Sequence, residues 1–268
     1  MHFSLLTVSF GFALCCALNA AVAAEPVDCT VIVDARSGAV VLRDGVCDER
    51  YAPASTFKLP LAVIGYDAGI LVDAETPRWD WQEGMTAPER DHKPVDPTIW
   101  ERDSVLWYSR EITRLLGAEA FGRYVAQLDY GNEDVSGVAG KDNGPTHAWL
   151  GASLTISPDE QVAFVRRLLL GALPVSAEAQ TLAASILPDF ASGNWTVSGK
   201  TGSGWVSDAN GDYYRDRPLG WFVGWAERDG DVVVFARLRV DAKRAEGNLG
   251  PMVREVFLTD LPHLLRGR

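Results

Sequence analysis

Hydrophobic and polar positions fall into three regimes along the chain. Near the start, Cys29–Ala35 and Val40–Cys47 are short, β-branched-rich segments flanking Arg36-Ser37-Gly38-Ala39, a turn composition, and they predict an antiparallel hairpin. If that hairpin is centred on Gly38, Cys29 sits directly opposite Cys47, near enough to bond. The middle of the chain has helical spacing. A helix is expected near Ser55 and through Leu59–Ile70, with Pro60 early in it, where a missing N–H costs least. Asp73–Thr98, Pro-rich and polar with Trp79 and Trp81, reads as a long structured loop. Asp103–Gly117 carries Tyr108, Ile112, Leu115 and Leu116 on one helical face, and Ala118–Leu128 continues as a second helix. Asp129–Pro145 is a glycine-rich loop. Ser157-Pro158-Asp159-Glu160 is a capping box with Pro at the first helical position, and Ser176–Leu187 is a further helix. Strands return in Trp195–Lys200, Leu219–Glu227 and Asp231–Val240, the last two joined by a turn at Glu227-Arg228-Asp229-Gly230, before an amphipathic helix at about Val253–Leu265.

This order predicts an α+β fold. Both chain ends enter one antiparallel sheet flanked by helices, and the helical middle forms a second lobe. The sheet lobe takes about residues 25–60 and 190–268 and the helical lobe about 61–189, in one domain with its cleft at the seam.

Composition narrows the function. The chain has 268 residues, 47% apolar and 23% charged, which is globular. Its net charge of −11 repels phosphate backbones and argues against nucleic-acid binding. Residues 1–24 contain no Asp, Glu, Lys or Arg, and an apolar stretch (Phe10–Leu18) runs into Ala21-Val22-Ala23, a small-x-small cleavage pattern. We read a secretory signal peptide, leaving a soluble, periplasmic or secreted protein without a membrane anchor. Cys15 and Cys16 leave with it. The remaining pair, Cys29 and Cys47, is expected to form a disulfide in an oxidising compartment, two free buried thiols being the other reading. His92, His147 and His263 lack metal-ligand spacing, so no metal site is expected.

Two short motifs carry chemistry. Ser55-Thr56-Phe57-Lys58 places a hydroxyl and an amine three residues apart, on one helix face. The amine can take the hydroxyl proton only if burial keeps it neutral, and apolar Phe57, Leu59, Leu61 and Val63 surround it. Lys200-Thr201-Gly202 ends the first returning strand. A strand edge there offers N–H groups to an oxyanion, and a cation and a hydroxyl to a carboxylate. Either motif alone occurs by chance; in this order, both at the seam, they mark the penicillin-recognising serine acyltransferases.

Within that group the chain resembles the class D serine β-lactamases (oxacillinases). Pro53-Ala54-Ser55-Thr56-Phe57-Lys58 is similar to their nucleophile motif, Ser104-Val105-Leu106 to their Ser-x-Val, and Tyr130-Gly131-Asn132 to their Tyr-Gly-Asn. Trp149-Leu150 resembles their loop tryptophan, and Leu219–Trp225 the strand after Lys-Thr-Gly. The resemblance spans Cys29 to about Arg239. It implies hydrolysis of penicillin- and cephalosporin-type antibiotics through a Ser55 acyl-enzyme, and hence antibiotic resistance. Lys58 is the implied general base, carboxylated by CO2 or bicarbonate and stabilised by the Trp149 indole; no separate cofactor is implied. Ser104 relays a proton to the leaving nitrogen and Lys200 holds it in place. The N–H groups of Ser55 and Ser203 form the oxyanion hole, beside Gly202, and Thr201 meets the substrate carboxylate. Tyr130, Trp100 and Leu106 are expected to line the site, Trp100 equally well as loop packing.

Two departures stand out. Leu106 replaces the Val of Ser-x-Val. The Arg expected before the last helix falls near Leu249, leaving Lys243, Arg244 and Arg254 as alternatives. Antibiotic sensors and penicillin-binding peptidases share these motifs but keep their acyl group, so they remain the rival readings. An oligomer is compatible with the resemblance.

Overall fold

The computed structural model describes residues 25–208, 210–244 and 246–266; the signal-peptide segment lies outside them. Among these residues six strands form one antiparallel sheet in the order β2-β1-β6-β5-β4-β3. Strand β1 (Val27–Asp34) and β2 (Val40–Gly45) come from the start of the chain, and β3 (Asp189–Ser192), β4 (Trp195–Ser207), β5 (Tyr213–Arg228) and β6 (Asp231–Val240) from its end. The pairing β1–β6 joins the two ends. Strand β6 reads as an almost unbroken apolar run because both of its faces are covered. Val233 and Phe235 point to one core, and Val234, Ala236, Leu238 and Val240 to the other. The Asp229-Gly230 turn joining β5 to β6 has both residues at positive φ, which is what a two-residue hairpin loop needs.

The helices lie on both faces. Helix α8 (Leu249–Leu264) covers one, through Phe257 against Phe222 and Phe235, with ring centroids 5.8 and 4.3 Å apart. On the other lie α1 (Lys58–Asp67), α2 (Pro97–Asp103), α3 (Leu106–Leu116), α4 (Ala118–Gln127), α5 (Gly144–His147), α6 (Pro158–Leu169) and α7 (Ala177–Ser185). The capping box of α6 is complete: Glu160 N–H donates to Ser157 Oγ, and Ser157 N–H to the Glu160 carboxylate.

Several elements differ from expectation, among them β3, which was not expected, and β5, which starts at Tyr213 rather than Leu219. The hairpin register is two residues off: Cys29 opposes Gly45, because Ser37 N–H and Oγ–H both bind Asp34 Oδ1 and draw the turn toward Ser37. The disulfide forms all the same, with Cys47 folding back beyond the end of β2 to Cys29 (Cα–Cα 5.3 Å). The helix expected over Asp103–Gly117 is broken at Ser104, whose φ of 60° is left-handed, so α2 ends at Asp103 and α3 begins at Leu106. Helix α2 lies partly in the expected loop and starts on an Asp96 cap, which accepts from Ile99 N–H at 2.8 Å. Strand β4 runs seven residues past Lys200, so Lys200-Thr201-Gly202 sits mid-strand.

Candidate active site

The Ser55 turn is built by strain and anchoring together. Ala54 has a φ of 50°, an unfavourable conformation for a residue with a Cβ, and its N–H is held by the Trp149 carbonyl at 3.0 Å. Thr56 Oγ1 donates to the Pro53 carbonyl at 2.8 Å and accepts from Gln161 Nε2 at 2.9 Å. Phe57 is buried against Phe121, Tyr130 and Trp149, and stacks on the last at 5.3 Å. Residues Ala54–Phe57 form a 3-10 turn that runs into α1. In that geometry side chains three apart eclipse, which puts Ser55 and Lys58 on one side. Ser55 is partly exposed and Lys58 is buried.

The Lys58 amine has no hydrogen-bond partner in the protein. Burial, then the neighbouring Lys200 ammonium, push its pKa down to about 7; the carboxylates of Glu101 and Asp91 oppose the shift. A lysine in this state supplies neutral amine near neutral pH. Lys200, on β4, donates from Nζ to Ser104 Oγ at 3.0 Å and to the Thr201 carbonyl at 3.1 Å. The left-handed φ of Ser104 lets its hydroxyl meet Lys200 on β4, with Lys58 close enough for Lys200 to shift its pKa. Burial lowers the Lys200 pKa as well.

Glu101 is the residue that the sequence hid. In Glu101-Arg102-Asp103 it looks like part of a solvated charge run. It is instead fully buried, with neither carboxylate oxygen hydrogen-bonded in the protein. Burial raises its pKa, and the charges of Lys200 and Lys58 pull it back. A buried carboxylate without hydrogen bonds costs on the order of several kcal/mol, and the charges that oppose this cost are those of the two site lysines.

Strand β3 pairs with β4 only as far as Ser198, so from Thr201 onward that edge of β4 has no strand beside it and faces the Ser55 turn. The approach is close: a Cβ on Gly202 would lie 2.8 Å from the Pro53 carbonyl oxygen and 3.2 Å from Thr56 Cγ2. Ser203 Oγ accepts from the Gly250 N–H at the start of α8, at 2.9 Å. Two cavities meet at Ser203 and Gly204. One, of about 280 Å³, includes Arg244, Asn248 and Leu249; the other, of about 400 Å³, includes Ala54, Leu106 and Arg110. Of the three basic alternatives, Arg244 lines the first cavity. Arg254 is held over the Phe190 ring and paired with Glu255.

Two expected lining residues are in the core. Trp100 is fully buried, with its indole N–H donating to Ser109 Oγ at 2.9 Å. Tyr130 is buried behind Phe57, with its hydroxyl on Gln161 at 3.3 Å. Large aromatic area is better hidden in the core than in a wet cleft, and each polar tip found a partner there. Among the described residues no group of three or more His, Cys, Asp or Glu could hold a metal ion, and no helix is long and apolar enough to cross a membrane.

Residues 28–257 match the penicillin binding protein transpeptidase domain. The chain is 45% identical to β-lactamase OXA-9 of Klebsiella pneumoniae, over 90% of this chain and 89% of that one. It is 34% identical to β-lactamase OXA-1 of Escherichia coli, over 83% and 77%. Its fold superposes on the crystal structure of the class D β-lactamase OXA-427 with a TM-score of 0.82 at 39% identity, covering 89% of this chain and 98% of that one. Similarity in sequence and in fold thus extends over nearly the whole described chain, and the protein belongs to the class D β-lactamase family.

Proposed function

We propose that the protein hydrolyses the amide of penicillin- and cephalosporin-type β-lactams through an acyl-enzyme on Ser55, and so confers resistance to them. The observation that carries this reading is the buried, partnerless Lys58 amine on the same turn as Ser55, facing a strand edge that bears Lys200. Lys58 takes the Ser55 proton as Oγ attacks the lactam carbonyl. Backbone N–H groups of Ser55 and Ser203 receive the developing oxyanion. Ser104, held by Lys200, passes a proton to the leaving nitrogen. Thr201 and Arg244 receive the ring carboxylate.

The Lys58 site suits carboxylation. A neutral amine is the form that adds to CO2, and a partnerless Nζ beside the Trp149–Phe57 stack has nothing else to hold it. Trp149 N–H and Lys200 are the donors available to an anion there. When present, the carbamate would supply an anionic oxygen base able to activate Ser55 and then the deacylating water. We also propose export: the Ala21-Val22-Ala23 pattern and the buried disulfide fit an oxidising compartment.

The test is steady-state hydrolysis of a chromogenic cephalosporin, with and without added bicarbonate, for the protein and for Lys58→Ala. Multiple turnovers, raised by bicarbonate and reduced about 100- to 10,000-fold by Lys58→Ala, are expected. A single burst equal to the protein concentration would leave Ser55 as the nucleophile and make the protein a sensor or peptidase.

A further inference from the structure

A β-lactam carries its ring carboxylate and its acyl side chain at opposite ends of the scissile amide. The two cavities that meet at Ser203 provide for both ends. With the ring carboxylate toward Thr201 and Arg244, the acyl side chain enters the larger cavity, between Leu106 and Trp205. This assignment rests on the function proposed above.

The charge of that larger cavity is unusual for this molecule. The chain has a net charge of −11, yet no Asp or Glu lines the cavity, while Arg110, Arg215 and His147 do. Arg110 is partly buried and makes one long hydrogen bond, from Nε to the Thr146 carbonyl at 3.4 Å. Among the described residues neither Arg110 nor Arg215 has an ion-pair partner. The Arg215 guanidinium lies over the rings of Trp205 and Tyr213, at 4.2 and 5.1 Å. That stacking fixes the plane of the fork and leaves its N–H groups free. The Tyr213 ring is itself tied down, its hydroxyl donating to the Leu150 carbonyl. Other arginines hold a carboxylate, as Arg43 and Arg237 do, or a backbone carbonyl, as Arg166 and Arg217 do. Two guanidinium groups without a carboxylate, one partly desolvated and one held flat by aromatic rings, on the wall of an otherwise apolar cavity beside the nucleophile, form a recognition site for an anion.

We propose that this cavity is an anion-selective side-chain subsite, in which Arg110 and Arg215 receive a carboxylate on the acyl side chain of the β-lactam. An acyl side chain bearing a carboxylate one carbon from the amide, next to a phenyl ring, fits both features. Its ring packs on Leu106 and Trp205, and its anion forms charge-assisted bonds with one guanidinium that is already partly desolvated, Arg110, and one that is held in place by aromatic rings, Arg215. The pair also offsets, at close range, the repulsion that an acidic protein exerts on a dianionic substrate.

Carbenicillin and benzylpenicillin differ only in that side-chain carboxylate, so their ratio reads the subsite and cancels damage common to both. The acylation rate constant of Ser55 is measured for each by intact-protein mass at short times, which does not require turnover. The expected carbenicillin-to-benzylpenicillin ratio is above one. It should fall about tenfold in Arg110→Gln and in Arg215→Gln, and Arg110→Lys should restore part of it. A ratio at or below one, unmoved by either Gln substitution, overturns the inference. Acylation without release of product would remove hydrolysis from the proposed function while leaving the ratio to decide this point. No acylation by either penicillin would overturn both.

Discussion

Glu101 and Lys58 act on each other's charge, in each case after burial and Lys200. Neither side-chain terminus makes a hydrogen bond in the protein, and each feels the other's charge: the carboxylate raises the lysine pKa and the ammonium lowers the acid's. Removing the carboxylate therefore lowers the Lys58 pKa further, and more neutral amine is present below pH 7. Glu101→Gln, which keeps the shape, is expected to move the acid limb of the kcat/KM profile to lower pH at fixed dissolved CO2. A limb that stays in place, or moves up, would show that the acid does not act on Lys58. Leu106 is the neighbouring case. It lines the larger cavity where the family pattern has Val. Leu106→Val is expected to change the bicarbonate concentration giving half-maximal rate; no change would confine Leu106 to contact with the acyl side chain. At this scale the sequence was readable where a motif fixes placement, as for Ser55 and Lys58 on one turn and Lys200 bonded to Ser104. It was opaque where burial decides. Trp100 and Glu101 are adjacent, and nothing in their order reveals that both side chains point into the core.

Between elements, the decisive contact is the approach of β4 to the Ser55 turn. Gly202 permits it, since any Cβ there would press on the Pro53 carbonyl oxygen, which is backbone and cannot rotate away. Gly202→Ala is expected to push the strand edge from Ser55 and slow acylation about 100-fold, the size of effect a misplacement near 1 Å produces. The cost in stability should be about 1–3 kcal/mol, so the protein stays folded. Acylation at the unsubstituted rate would mean that the turn and the strand tolerate a wider gap than the site's geometry implies. Strand β6 and the α6 capping box were legible because they depend on local pattern alone: a continuous apolar run, and a Ser and a Glu three residues apart. The break at Ser104, the added length of β4 and the short β3 were not legible. The first depends on Lys200, distant in sequence, whereas β3 and the end of β4 pair with nearby residues, Ser192 with Trp195 and Ser207 with Tyr213, in segments poor in β-branched residues.

The sheet closes the two chain ends on each other, and the disulfide ties that closure to the active site. Cys29 lies in β1, between β2 and β6, and Cys47 lies eight residues before Ser55; both are fully buried. The Cys47 carbonyl also accepts from Asp159 N–H at 3.1 Å, at the start of α6. One cross-link thus connects a central strand, the approach to the nucleophile and the helix packed across the sheet. The even cysteine pair pointed to this bond, although the strand register it was argued from is two residues away from the one that forms. With a separation of 18 residues, the loop-closure contribution is about 3 kcal/mol on the chain-entropy account. For a domain of this size, that corresponds to about 6–12 °C in Tm. Cys47→Ser is therefore expected to melt lower by that amount. The Ser55 turn keeps its own anchors, to Trp149 and Gln161, so acylation well below the new Tm should proceed at the parent rate. If acylation falls in proportion to stability instead, the cross-link positions the nucleophile as well as holding the sheet to it. If Tm does not move, the sheet and its two helical layers already hold the ends together without it.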